Sequence, residues 1–92
     1  MRKGRRWHLD QHVEPNKLDR LTKFKTGDRV RIVEIDTGRG ALLNLLHLGL
    51  DIGHIVEIAR RSSMGGPVIV RFRDSEIAIG HRLSNKILVE EV

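Results

Sequence analysis

No stretch of consecutive apolar residues in this chain is longer than three; apolar residues recur instead in short alternating runs parted by glycine-bearing turns. A membrane-spanning helix needs roughly 20 apolar residues in a row, so this pattern excludes one. Alternation puts every second side chain on one face of a strand, and such runs suit strands of about five or six residues. The chain is therefore predicted to be mainly β. In 92 residues the core that such strands bury is single and modest.

The strands can be placed by their turns. Leu18, Leu21 and Phe24 offer a short apolar face before Lys25-Thr26-Gly27-Asp28, where Gly27 is free to take positive φ. A strand over Arg29–Ile35 follows, with an irregularity: Val30 and Ile32 point one way, Val33 and Ile35 the other. A change of phase in mid-strand signals a bulge, or a strand covered on both faces. Thr37–Gly40 leads into a helix over Ala41–Leu48, with Leu42, Leu45 and Leu46 on its buried side and Leu43 beside His47. Gly49 is placed to end the helix in left-handed conformation, and Leu50 to make the apolar contact of such a cap.

Asp51-Ile52-Gly53 then turns into a strand over 54–61, and Ser62–Pro67 is a loop by composition. Further strands are predicted over 68–73, 76–79 and 87–92, with a single helical turn over 80–86. Five short strands in so small a body favour closure into a barrel, which removes the exposed edges of an open sheet. The core expected from this pattern is Val30, Ile32, Leu45, Leu46, Val56, Ile58, Val70, Phe72, Ile77 and Val89.

Charge divides the chain unequally. Residues 1–25 hold eight Lys or Arg against Asp10, Glu14 and Asp19, whereas residues 26–92 hold nine basic and nine acidic side chains. The net charge of +5 thus belongs to a leader over residues 1–17 and the first turn of a body over residues 18–92. A nucleic-acid module carries its cations on the folded surface, interleaved with stacking rings; here the only rings of that kind are Trp7, Phe24 and Phe72. No nucleic-acid partner is expected, although a barrel that binds RNA or DNA with the leader as its electrostatic arm stays as an alternative. Composition suits the leader to a solvated, flexible tail. Arg2, Lys3, Arg5, Arg6 and Trp7 also fit contact with an anionic membrane face, because clustered cations and tryptophan favour that interface.

Chemistry that would mark an enzyme is missing from the sequence. There is no cysteine, no G-x-S-x-G elbow and no G-x-x-x-x-G-K-[ST] loop, and Gly65-Gly66-Pro67 precedes a strand rather than a phosphate-binding helix. The lack of cysteine also rules out disulfides and suits a reducing, cytoplasmic setting. His8-x-Asp10-x-His12 is the one set suited to a divalent ion such as Fe2+, Mn2+ or Zn2+; extended, the three share a face, but a tail gives them no supporting shell. No cofactor is required. His47, His54 and His81 stand alone in sequence and read as surface or turn residues. Leu43, Ile52 and Met64 remain as apolar residues on a helix flank, a turn and a loop tip, the candidates for a protein-binding surface.

The run Leu45-Leu46-His47-Leu48-Gly49-Leu50-Asp51-Ile52-Gly53-His54-Ile55-Val56-Glu57-Ile58 resembles the L-L-x-L-G-L-x-x-G-x-x-V-x-V core of the FeoA family. The Gly65-Gly66-Pro67 loop, the strand after it and Lys86-Ile87-Leu88-Val89 fall at that family's spacings, so the resemblance covers about residues 18–92. Ile52 stands where the family often has proline, and Leu42 and Leu43 where it usually has charge. The resemblance implies a small SH3-like barrel, monomeric or weakly self-associating. It also implies a non-enzymatic cytosolic regulator of ferrous iron transport that docks on FeoB, a membrane transporter with a GTP-binding domain. Related domains end the iron-dependent repressors, so a metal-responsive regulatory domain is the other alternative.

Overall fold

The computed structural model describes residues 7–8, 17–62 and 64–92. In chain order the elements are β1 (Trp7–His8), β2 (Leu18–Arg20), a 3₁₀ turn (Leu21–Lys23), β3 (Arg29–Ile35), α1 (Arg39–His47), β4 (Ile55–Arg61), β5 (Val68–Phe72), β6 (Ser75–Ile79), α2 (His81–Ser84) and β7 (Ile87–Glu91). All pairings are antiparallel, in the spatial order β2-β7-β3-β4-β5-β6, with β1 added on β3. Five of these strands are the ones the alternation predicts; β1 and β2 are additions, too short to show a period. Among the described residues the hydrogen-bonded path ends at β2 and β6.

The change of phase in β3 has its physical counterpart. Ile32 faces Val89 and Glu34 faces Leu88, so Val33 is an extra residue in the ladder with β7. The bulge lets Val30, Ile32, Val33 and Ile35 all be buried. A second register shift lies between Ile58 and Arg60, where β4 meets β5. No break in apolar phase announces it, because Ala59 adds little bulk to either face.

One core gathers residues from every layer: Leu21 and Phe24, β3, Leu45 of α1, Leu50, and the inward positions of β4 to β7. Gly27 sits at φ +97, and its turn closes as Asp28 N–H donates to the Lys25 carbonyl at 3.0 Å. α1 ends as the Gly49-Leu50 signal predicts. Gly49 has φ +97, its N–H donates to the Leu46 carbonyl at 2.9 Å, and the Leu50 N–H donates to the Leu45 carbonyl at 3.0 Å. Leu45 and Leu50, each 1% exposed, pack as the apolar pair of that cap.

Among the described residues, buried side-chain polar atoms all have hydrogen-bond partners. The Ser84 hydroxyl donates to the Ile79 carbonyl at 3.0 Å, fixing α2 against the end of β6. Glu90, 4% exposed, accepts from Arg31 at 2.9 Å across the β3–β7 ladder. Thr22 donates to Asn85 at 2.8 Å and joins the 3₁₀ turn to the residue after α2.

Candidate partner-docking surface

Helical spacing decides which leucines α1 gives to the core. Leu45 is buried and Leu42 packs half-buried against the core, whereas Leu43 and Leu46 are 46% and 40% exposed. This corrects the expectation that Leu46 is buried. The helix docks through its Leu42–Leu45 side, and Leu46, one residue or about 100° beyond Leu45, falls on the flank. Three positions apart, Leu43 and Leu46 are neighbours on that flank. Arg39 and His47, both exposed, border the pair, and no carboxylate occurs between Thr37 and Leu50. The outer side of α1 is thus an apolar centre with a basic margin.

The other two apolar candidates lie elsewhere. Ile52 is half-buried and packs against the core. Met64 is 89% exposed in the loop after β4. Ile52 precedes that strand and Met64 follows it, and seven residues of strand hold the two roughly 20 Å apart. Leu43 therefore finds its nearest apolar companion in Leu46, a residue that a helical wheel assigns to the core because it cannot fix the docking angle.

Histidines in the described body do structural work or face solvent. The His54 ring stacks on Phe72 with centroids 4.5 Å apart, and its Nδ1 accepts the Asp51 N–H at 3.1 Å, bracing the turn into β4. Phe72, expected in the core, is half-buried and packs against it from the edge. His47 and His81 are exposed. Among the described residues no three His, Asp or Glu side chains are placed to hold a metal ion. Of the sequence set His8-x-Asp10-x-His12, only His8 is described, as part of β1; Asp10 and His12 lie outside the described residues, as do Arg2, Lys3, Arg5 and Arg6.

On the outer face of β4, β5 and β6, charge is consumed internally. Glu57, Arg71 and Glu76 are direct cross-strand partners, and Arg71 bonds Glu76 at 2.8 Å and Glu57 at 3.3 Å. Arg60 adds a second bond to Glu76 at 2.9 Å. The bond from Arg71, then that from Arg60, holds the Glu76 carboxyl below the usual carboxylate range, and Glu76 in turn raises the Arg71 guanidinium. An open groove of about 590 Å³ lies by the 3₁₀ turn and the start of β7, lined by Asp19, Glu34 and Asp36 against Arg20, Lys23 and Lys86. Its described lining holds no histidine, serine or cysteine.

The chain matches the FeoA domain family over residues 20–91. A protein of Methanocaldococcus jannaschii provisionally named Fe(2+) transport protein A is 40% identical over 71 residues, covering 77% of this chain and 84% of that relative. The crystal structure of an iron uptake regulatory protein (FeoA) superposes with a TM-score of 0.72 at 28% identity, covering 83% of this chain and 99% of that one. A manganese-dependent transcriptional repressor shares the fold alone, with a TM-score of 0.74 at 17% identity over 90% of this chain and 46% of its own. Fold and size thus define the class, a small, mainly β domain of the SH3-like kind. Within that class the matched residues fix the family. The chain belongs to the FeoA family, the accessory proteins of ferrous iron transport.

Proposed function

We propose that this chain is a non-enzymatic regulator that docks on the cytosolic part of a FeoB-type membrane GTPase transporter, with Leu43 and Leu46 as its apolar anchors. The observation that carries the reading is the outward exposure of two neighbouring leucines on a helix whose other side is fixed in the core. Family membership supplies the transport setting. The charge balance of residues 26–92 speaks against nucleic acid, whose affinity comes largely from unpaired cations on phosphates.

The reading is tested by titrating the purified cytosolic GTPase domain of such a transporter with the parent chain and with Leu43→Asp. An anchor at an interface contributes on the order of 1–2 kcal/mol, so the variant is expected to bind about tenfold or more weakly. Its melting temperature should stay near the parent's, because Leu43 is outside the core. Equal affinity of the two chains would remove α1 as the docking face. Failure of the parent to bind would remove the partner.

A further inference from the structure

Among the described residues β6 ends the sheet with one edge unpaired, and the ladders fix which backbone groups lie on it. Backbone groups of successive residues alternate between the two edges of a strand. Ile58 donates its N–H to the Asp28 carbonyl and accepts the Gly27 N–H, each at 2.8 Å, so Glu57 turns its own groups toward Arg71 on β5. Arg71 therefore faces β4. Its neighbours Val70 and Phe72 face β6, where they pair with Ile77 and Ser75. Glu76 and Ala78 are left with N–H and C=O directed away from the sheet.

Natural edge strands are blunted by lysine, proline or a bulge. β6 has none of these: Ser75-Glu76-Ile77-Ala78-Ile79 pairs with β5 over all five residues in unbroken register. Its single charge, Glu76, is already held by Arg71 and Arg60. The open pattern is also its own complement. An antiparallel copy, related by a two-fold axis at Ile77, sets Glu76 opposite Ala78 of the second copy and Ala78 opposite Glu76 of the second copy. Each pair then exchanges two hydrogen bonds, and every open group is matched. Only the methyl group of exposed Ala78 stands opposite each carboxylate, so like charges do not meet. Neighbouring registers are poorer. An axis at Glu76 sets two carboxylates against each other, and an axis at Ala78 calls on Gly80, whose carbonyl already accepts the Ser84 N–H at 2.8 Å.

We propose that the β6 edge is a self-association surface whose occupant is a second copy of this chain, joined by antiparallel pairing of Glu76 and Ala78 about Ile77. Five residues of strand from each copy make a contact smaller than the roughly 1,200 Å² of a stable interface, so the dimer is weak, with a Kd on the order of 0.1–1 mM. The α1 face takes no part in it, and either surface can fail alone.

Sedimentation and amide hydrogen exchange of the full chain, from roughly 0.02 to 2 mM, test it. The mass should rise toward that of a dimer, and the Glu76 and Ala78 amides should gain protection in step. The Ile77 amide, which faces β5, should hold its protection throughout and reports that the strand keeps its place in each variant. Ala78→Glu puts a carboxylate opposite Glu76 twice over in the dimer, and its Kd should rise about tenfold. Ala78→Lys puts opposite charges there and should dissociate no more readily than the parent. A chain that stays monomeric, a dimer whose Glu76 and Ala78 amides stay unprotected, or protection already complete in the dilute monomer would overturn the proposal. Equal weakening by the glutamate and the lysine would overturn it too.

Discussion

Replacing Gly49 by alanine isolates the backbone conformation that ends α1 and so sets the outer face of that helix. Gly49 has φ +97, and a Cβ built on it meets nothing within 4 Å, so sterics with the rest of the fold add nothing to the cost. A left-handed conformation costs a residue with a Cβ roughly 1–2 kcal/mol. Alanine also restricts the unfolded chain and returns about 0.4–1 kcal/mol. Taken from the middle of each range the net loss is about 0.5–1 kcal/mol, and in a domain of this size 1 kcal/mol moves the melting midpoint by roughly 4–8 °C. Gly49→Ala should therefore melt about 2–8 °C below the parent by far-UV circular dichroism. Gly38 supplies the contrast. It caps the start of α1 at φ −72 and ψ 170, without a side-chain cap bond and with nothing within 4 Å of an added Cβ. Gly38→Ser should raise the midpoint, through a new cap and a stiffer unfolded chain. A Gly49→Ala chain that melts with the parent, or a midpoint lowered alike by both substitutions, would show that the left-handed Gly49 does not limit the helix end.

Acid should weaken the sheet through Glu76. Its folded carboxyl lies below the ordinary value because of Arg71 and then Arg60, so its contribution is complete above the unfolded value and is lost as pH falls through the folded one. Below about pH 4.3 the urea midpoint of the parent should fall more steeply than that of Glu76→Gln, and parallel profiles would count against the network. Leu45→Ala empties a buried site and should cost about 2–5 kcal/mol in denaturant unfolding, against about 0.5 kcal/mol or less for exposed Leu43→Ala. Similar losses in the two would mean that α1 docks by another face. Ser84→Ala removes the hydroxyl bond that ties α2 to the end of β6 and should cost about 0.5–1.5 kcal/mol, a loss that an unchanged unfolding midpoint contradicts.

Much of the fold is legible in the sequence because local rules and packing agree there. The phase break among Val30, Ile32, Val33 and Ile35 reads directly as the bulge opposite β7, since each residue must reach apolar surroundings. Gly49 and Leu50 reveal the helix end because its cap is built from adjacent residues. Other features depend on contacts distant in sequence. β2 is held by pairing of Leu18 to Arg20 with Leu88 to Glu90, which no period in three residues can show. β1 likewise depends on an edge left free far along the chain. The candidate surface was half legible. Leu43 sits on the helix flank as its spacing implies, but the docking angle of α1 also frees Leu46 and leaves Ile52 against the core.

Docking through the outward leucines of α1 makes a residue-by-residue prediction. Methyl NMR of leucine-labelled chain, titrated with the cytosolic GTPase domain of a FeoB-type transporter, addresses it residue by residue. The signals of Leu43 and Leu46 should shift or broaden first, while those of buried Leu21 hold their positions. Perturbation confined to residues away from α1, with Leu43 and Leu46 undisturbed at saturation, would contradict the account.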